Sequence, residues 1–149
     1  GEIANHNRGP AHPDDPSMLG HFDMGFGRGV EMDAAMLAGL DQGSYAADLT
    51  GSGSALYEGP LLSAVLAAAG AEGPVVTLMA LDGYAFDIST EMIALHKPIL
   101  ATHRDGQPLG IGDIGPAVTV FPPTPDPVLA ESFSERQVWA LFFIEVRSD

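Results

Sequence analysis

Five histidines are the side chains in this sequence with the clearest metal-binding chemistry. Imidazole and carboxylate groups together suit Zn²⁺ or Cu²⁺. The N-terminal stretch holds three histidines, His6, His12 and His21, together with Asp14, Asp15 and Asp23. The three histidines are six and nine residues apart, and these spacings match no compact ligand motif. The sequence therefore favours exposed loop histidines over a native metal site.

Nucleophilic catalysis has little support in the sequence. The chain has no cysteine, which excludes disulfides, thiolate nucleophiles and cysteine-ligated metal sites, because each of these needs a sulfur atom. Ser52 and Ser54 lie among glycines in the segment GSGSA, which lacks the strand-to-helix setting of a G-x-S-x-G nucleophile elbow. We predict a turn-forming linker at this position.

The charge of the chain limits its partners. Six Lys and Arg residues face twenty Asp and Glu residues, which gives a formal net charge of -14. Such a field repels phosphate backbones and anionic lipids and favours cationic or neutral ligands. No stretch of the sequence is long and apolar enough to span a bilayer. Nucleic-acid binding and direct membrane insertion are therefore not expected.

The elements that must position any site are predicted to form one α+β domain, residues 1–149. Residues 1–29, rich in Gly, Pro, Asn, Asp and His, are expected to form a strand end and a long loop. Helices are predicted over Glu31–Leu40, Pro60–Ala69, from Ser89 or Thr90 to Leu95, and near Val128–Phe133. Strands are predicted at Ser44–Leu49, Ala55–Glu58, residues 74–81, Tyr84–Ile88, Ile99–His103, Ala117–Phe121 and Val138–Val146. Short strands interleaved with short helices indicate a mixed sheet.

Turn signals fix several boundaries of these elements. In GPLLSAVLAAAGA, Pro60 is expected in the first turn of a helix and Gly70 as its left-handed terminator. The Asp82–Gly83 pair between two apolar runs predicts a hairpin. The segment PILATHRDGQPLGIGDIGPAVTVFP, residues 98–122, predicts a strand, a tight polar turn, a Gly-Pro elbow and a second strand.

Five blocks of this chain, in order, resemble the molybdopterin-binding domain of the sulfite-oxidase-fold family. They are a first helix, then YEGPLLSAVLAAAGA, VVTLMALDGYAFDIS, PILATHRDGQPLGIGDIGPAVTVFP and RQVWALFFIEV. The resemblance implies a sulfite-oxidase-type fold whose loops enclose a pyranopterin on one side of the sheet. In the molybdenum enzymes of that family a cysteine holds the metal, but here LTGSGSALYEGP occupies the cysteine block. A lysine of the family's closing strand is also not matched.

Within that family the chain is most similar to small, exported, cysteine-free bacterial proteins. The resemblance implies a periplasmic, non-enzymatic protein that binds a reduced pterin and signals to a membrane-bound regulator of cyclic diguanylate. The alternative is a molybdopterin-dependent oxidoreductase domain or subunit. Molybdopterin carries a phosphate that proteins hold with basic groups. Because this chain has few bases, an unphosphorylated pterin is the expected cofactor.

Asp87 is the predicted partner for the donor edge of the pterin. A carboxylate can accept two hydrogen bonds from the ring N3–H and 2-amino group, and such charge-assisted pairs are strong. Alternation along the predicted strand places Tyr84, Phe86 and Ile88 on one face and leaves Asp87 on the other. A solvated aspartate at the strand end, or a cap for the next helix, is the alternative role.

Further ligand contacts are expected from the matched blocks and from the N-terminal stretch. Trp139, the only tryptophan, and the tyrosines Tyr57 and Tyr84 could stack on the ring, although aromatic residues on central strands more often belong to the core. Basic and polar groups could contact ring carbonyls or a hydroxylated side chain. These candidates are His103, Arg104, Arg136, Asn5 and Asn7.

Overall fold

The computed structural model describes residues 2–3, 32–51, 53–110 and 114–147. The helices in these ranges are α1 (Ala34–Ala38), α2 (Leu62–Ala69), α3 (Thr90–His96) and α4 (Pro127–Glu135). All four helices are short, and none in the described ranges has the length and apolar character that crossing a bilayer requires. Strands interleave with the helices along the chain, which confirms the expected α+β class with short helices in a single domain.

Eleven strands are found in the same ranges. They are β1 (Glu2–Ile3), β2 (Gln42–Ala47), β3 (Ala55–Pro60), β4 (Ala71–Glu72), β5 (Val75–Ala80), β6 (Ala85–Ser89), β7 (Ile99–Ala101), β8 (His103–Arg104), β9 (Gln107–Pro108), β10 (Val118–Val120) and β11 (Leu141–Arg147). The strand orders are β2-β3-β8-β9, β11-β5-β6, β10-β7 and β1-β4. Every pairing between these strands is antiparallel. The expected mixed sheet is therefore wrong for the described part of the chain.

Helix boundaries follow the capping chemistry. Asp33 begins α1 by accepting a hydrogen bond from the Met36 N–H at 2.8 Å, so this helix is shorter than the predicted Glu31–Leu40. Ser89 caps α3, and Gly70 ends α2 with φ of 62°. Pro60 is the last residue of β3 and not a residue of the first turn of α2, because β3 continues to Pro60 beside β2.

Two predicted strands differ from the structure by more than a residue or two of fraying, because one is divided and the other begins later. The run Ile99–His103 is divided at Thr102, because β7 pairs with β10, whereas the chain from the Thr102 N–H onward bonds to β3, beginning with the Glu58 carbonyl at 2.9 Å. The run Val138–Val146 pairs as a strand only from Leu141, because Ala140 adopts φ of 50°. This second difference shapes the candidate site.

The core consists of two clusters that meet at β7. The larger cluster lies between α2, α3, α4 and the β11-β5-β6 sheet, and its rings include Phe121 and Phe133, stacked at 4.4 Å. The smaller cluster packs β3 against β7 and β10. Leu100 joins the first cluster, while Ile99 and Ala101 on either side of it join the second. Burying each such leucine or isoleucine stabilises the fold by about 1.5–3 kcal/mol.

The β11-β5-β6 sheet turns one face to the core and the other outward. Val76, Leu78 and Ile88 are buried on the core face. Thr77 and Asp87 face each other across β5 and β6 on the outer face. The predicted alternation of β6 is thus confirmed, and it separates Asp87 from the core side of the sheet.

Candidate functional site

A pocket of about 330 Å³ lies where three segments meet. The β5–β6 hairpin forms one wall, the end of α4 with the following loop forms a second, and residues just after β2 form a third. The lining residues are Asp48, Leu49, Ala80, Asp82, Tyr84, Ser134, Glu135, Gln137 and Trp139. Two of the predicted ligand-contacting aromatics, Tyr84 and Trp139, are therefore brought together.

Trp139 is presented by a loop whose backbone is held on both sides. The preceding residue, Val138, donates its N–H to the Thr119 hydroxyl oxygen at 2.9 Å. The Thr119 N–H donates back to the Val138 carbonyl at 3.3 Å. Both Val138 and Thr119 are fully buried, whereas Trp139 between them and the solvent is 44% exposed. A large apolar ring is thus displayed on a fixed backbone.

On the other side of Trp139, Ala140 adopts a left-handed conformation with φ of 50°. Its N–H donates to the Ile114 carbonyl at 2.7 Å, and its carbonyl accepts from the Leu81 N–H at 2.9 Å. This conformation is unfavourable for a residue with a Cβ, so the surrounding bonds must maintain it. The bend at Ala140 places Trp139 outside the β11 ladder and in the pocket wall.

Tyr84 supplies the second ring and joins the hairpin to α4. The Asp82–Gly83 turn precedes it, and Asp82 Oδ1 accepts the Tyr84 backbone N–H at 2.9 Å. The Tyr84 hydroxyl donates to the Glu135 carbonyl at 3.0 Å. With 46% of its surface exposed, Tyr84 keeps part of its ring available to a ligand while its hydroxyl fixes its position.

The pocket is electrostatically negative. Asp48, Asp82 and Glu135 line it, and none of its lining residues in the described part of the chain is Lys, Arg or His. The C-terminal end of α4, which carries the negative end of the helix dipole, also faces it through Ser134 and Glu135. A neutral or cationic ligand rich in hydrogen-bond donors is therefore favoured over an anionic one.

Asp87 does not line this pocket. On the outer face of the sheet, its Oδ1 accepts from the Thr77 hydroxyl at 2.7 Å and its Oδ2 pairs with the Arg147 guanidinium. Asp87 and Arg147 are both substantially exposed, so their ion pair contributes little to stability. The carboxylate that the structure places beside Tyr84 is Asp82.

Arg136 lies at the end of α4 but does not line the pocket. Its Nη1 donates to the carbonyl and the hydroxyl of Ser132 at 3.1 and 2.9 Å. The guanidinium also lies over the Phe86 ring, 4.9 Å from its centroid, which is a cation–π contact. This arrangement holds the end of α4 against β6, and so supports the pocket wall from behind.

The predicted contacts on β3 and β8 lie in another part of the fold. Tyr57 is 1% exposed in the smaller core cluster, which leaves no ring face for a ligand. Tyr57 on β3 pairs with Arg104 on β8. His103, the residue before Arg104, shares a 2.8 Å hydrogen bond with the Thr102 hydroxyl. Asn5, Asn7 and Ser52 lie outside the described residues, as do the three N-terminal histidines and their aspartates.

The three carboxylates and the one amide that line the pocket were not predicted from the sequence as ligand contacts: Asp48, Asp82, Glu135 and Gln137. Asp82 was interpreted only as a turn residue, although its place beside Tyr84 in a predicted hairpin was a usable signal. The other three come from distant segments that meet only in the folded chain.

Within the described ranges, no group of three or more His, Asp or Glu side chains is placed to hold a metal ion. The described lining of the pocket offers hydrogen-bond acceptors, two aromatic rings and negative charge. No protein-family model matches the chain, and no curated protein is significantly similar to it.

Proposed function

We propose that this protein binds a reduced, unphosphorylated pterin in the aromatic and acidic pocket, as a non-enzymatic ligand-binding domain. The observation that carries the proposal is the meeting of two partly exposed rings, Tyr84 and Trp139, with three carboxylates in one concavity. A pterin has two faces that stack and one edge that donates hydrogen bonds, and the pocket offers partners for both.

Pocket size and composition fit a bicyclic heterocycle. A volume of about 330 Å³ is at the lower end of the range for small-molecule sites. Stacking of a flat ring on an aromatic side chain contributes about 1–3 kcal/mol. Asp82 is the proposed acceptor for the N3–H and 2-amino edge, because its carboxylate adjoins Tyr84 at the hairpin turn.

The acidic lining of the pocket supports an unphosphorylated ligand. Among the described lining residues a phosphate would meet three carboxylates and no basic partner, and so would lose the charge-assisted bonds that phosphates receive in their usual sites. The chain also has no cysteine to hold molybdenum as the enzymes of the resembled family do. The molybdopterin-dependent oxidoreductase remains the alternative, and molybdenum analysis of the natively purified protein separates the two.

The wider role belongs to the same proposal. A sulfite-oxidase-type fold, export to the periplasm and signalling to a membrane-bound regulator of cyclic diguanylate are supported by the five-block resemblance. In this role the pocket is the sensor, and the regulator responds to its occupancy.

Calorimetry with tetrahydropterins, in the absence of oxygen, tests the proposal directly. Asp82→Asn should weaken binding by about 1–3 kcal/mol, because the neutral amide can no longer accept a charge-assisted pair. Asp87→Asn is the matched control, since Asp87 lies on the outer face, and it should leave the affinity unchanged. A failure of every reduced pterin to bind the folded wild-type protein would contradict the function. Unchanged affinity in Asp82→Asn together with weaker affinity in Asp87→Asn would contradict the assignment of the binding site to this pocket.

A further inference from the structure

Strand β2 leaves one side of its backbone without a partner among the described residues. All six of its residues pair with β3 in unbroken antiparallel register. Just before β2, the Leu61 N–H donates to the Asp41 carbonyl at 2.9 Å. Because antiparallel pairs alternate, the backbone groups of Gly43, Tyr45 and Ala47 then point to β3. Those of Gln42, Ser44 and Ala46 point away from it.

The sequence of β2 itself lacks the features that usually protect an edge strand. Natural edge strands carry charges, proline or bulges that prevent pairing with other chains. The edge strand β6 has Asp87 at its centre, and β9 is two residues long and ends at Pro108. By contrast, β2 reads QGSYAA, with no charge, no proline and no register shift. It is an uninterrupted template for one more strand.

The charges around β2 indicate what kind of strand could be added. Asp41 precedes the strand, Asp48 follows it, and Glu58 lies opposite Ser44 on the neighbouring strand. A basic residue, Lys97, lies under the opposite face, where its backbone carbonyl accepts the Tyr45 hydroxyl at 2.7 Å. Both ends of β2 are thus flanked by acidic residues, and the strand itself carries no charge.

A second copy of this chain fits the edge poorly. Antiparallel pairing of two β2 strands with full overlap places Asp41 of each copy within one residue of Asp48 of the other. Like charges so close on paired strands are destabilising, and the repulsion occurs at both ends of the pair. A strand with a basic residue at each end would instead be attracted to Asp41 and Asp48.

We propose that the edge of β2 binds an extended segment of a partner protein, with an uncharged core of about five residues and a Lys or Arg at each end. The added strand exchanges backbone hydrogen bonds with Ser44 and Ala46, as in other cases of strand addition. Its flanking bases lie near Asp41 and Asp48. The proposal does not rest on what the pocket binds, although Asp48 also lines that pocket.

Two synthetic peptides test the proposal on the full chain by NMR: acetyl-KTVTVTK-amide and the charge-reversed acetyl-ETVTVTE-amide. We expect the basic peptide to shift the amide resonances of Ser44 and Ala46 and to slow their hydrogen exchange. The acidic peptide should bind at least about fivefold more weakly, since two attractive end contacts become repulsive. No response at Ser44 and Ala46 to the basic peptide, or equal binding of both peptides, would overturn the proposal.

Variants at the edge of β2 distinguish backbone pairing with the peptide from its other contacts. Ser44→Pro removes the outward N–H and should abolish the response, whereas Ser44→Ala keeps that N–H and should retain it. If the proline variant does not fold, Asp41→Asn serves instead and should reduce the preference for the basic peptide. Concentration-dependent protection of Ser44 and Ala46 without peptide would identify a second copy as the occupant and contradict the proposal.

Discussion

Thr119→Val tests the link that holds Trp139 in the pocket wall. Thr119 is 0% exposed, and its hydroxyl oxygen accepts the Val138 N–H at 2.9 Å. Valine has nearly the same shape, so the change removes the acceptor without opening a cavity. The Val138 N–H is then left buried and unpaired, and such a group costs about 1–3 kcal/mol. We expect the free energy of unfolding to fall by that amount.

Urea denaturation followed by circular dichroism measures this loss. Thr119→Ser is the control, since it keeps the hydroxyl and removes one methyl group, which costs about 1 kcal/mol. Calorimetry on the same variants then shows whether loosening Val138 weakens ligand binding at Trp139. A Thr119→Val protein within about 0.5 kcal/mol of wild type, the range of neutral surface changes, would refute the assigned hydrogen bond.

Two further predictions concern stability. Tyr45→Phe removes the hydroxyl bound to the Lys97 carbonyl and should cost about 0.5–1.5 kcal/mol near neutral pH. Burial raises the pKa of the Tyr45 hydroxyl, so the unfolded chain loses this proton first. The wild-type advantage over Tyr45→Phe should therefore shrink above about pH 10, and an unchanged gap in urea titrations there would contradict this. Gly59→Ala would place a Cβ against the Leu100 carbonyl and should cost about 3 kcal/mol or more. Gly106→Ala, strained only by its φ of 80° in open space, should cost about 1–2 kcal/mol by thermal unfolding; equal losses would count against the packing argument.

Local signals in the sequence predicted most of the elements. The left-handed Gly70, the Ser89 cap and the Asp82–Gly83 hairpin all act over a few residues, and all are present in the structure. The errors come from long-range effects. Pro60 resembles a helix start, but pairing with Gln42 keeps it in a strand. The direction of strand pairing likewise depends on the whole chain.

The candidate site was predicted only in part for the same reason. Tyr84 and Trp139 were predicted as ring-stacking residues, and the structure brings them to one pocket. Alternation along β6 was correct, yet it places Asp87 on the outer face, opposite the core side. No local pattern indicates that Ala140 adopts a positive φ or that Glu135 meets the hairpin. Both follow from how β11 and α4 pack.

The anchoring of residues 138–140 has a thermodynamic consequence for any ligand that stacks on Trp139. Ordering one residue of backbone costs about 1–2 kcal/mol, and here two hydrogen bonds at Val138 and two at Ala140 impose that order during folding. Binding therefore requires little additional loss of protein entropy, as in other preorganised sites. Affinity at this wall and stability of the fold are coupled, so a substitution that loosens Val138 or Ala140 weakens binding without touching the ligand.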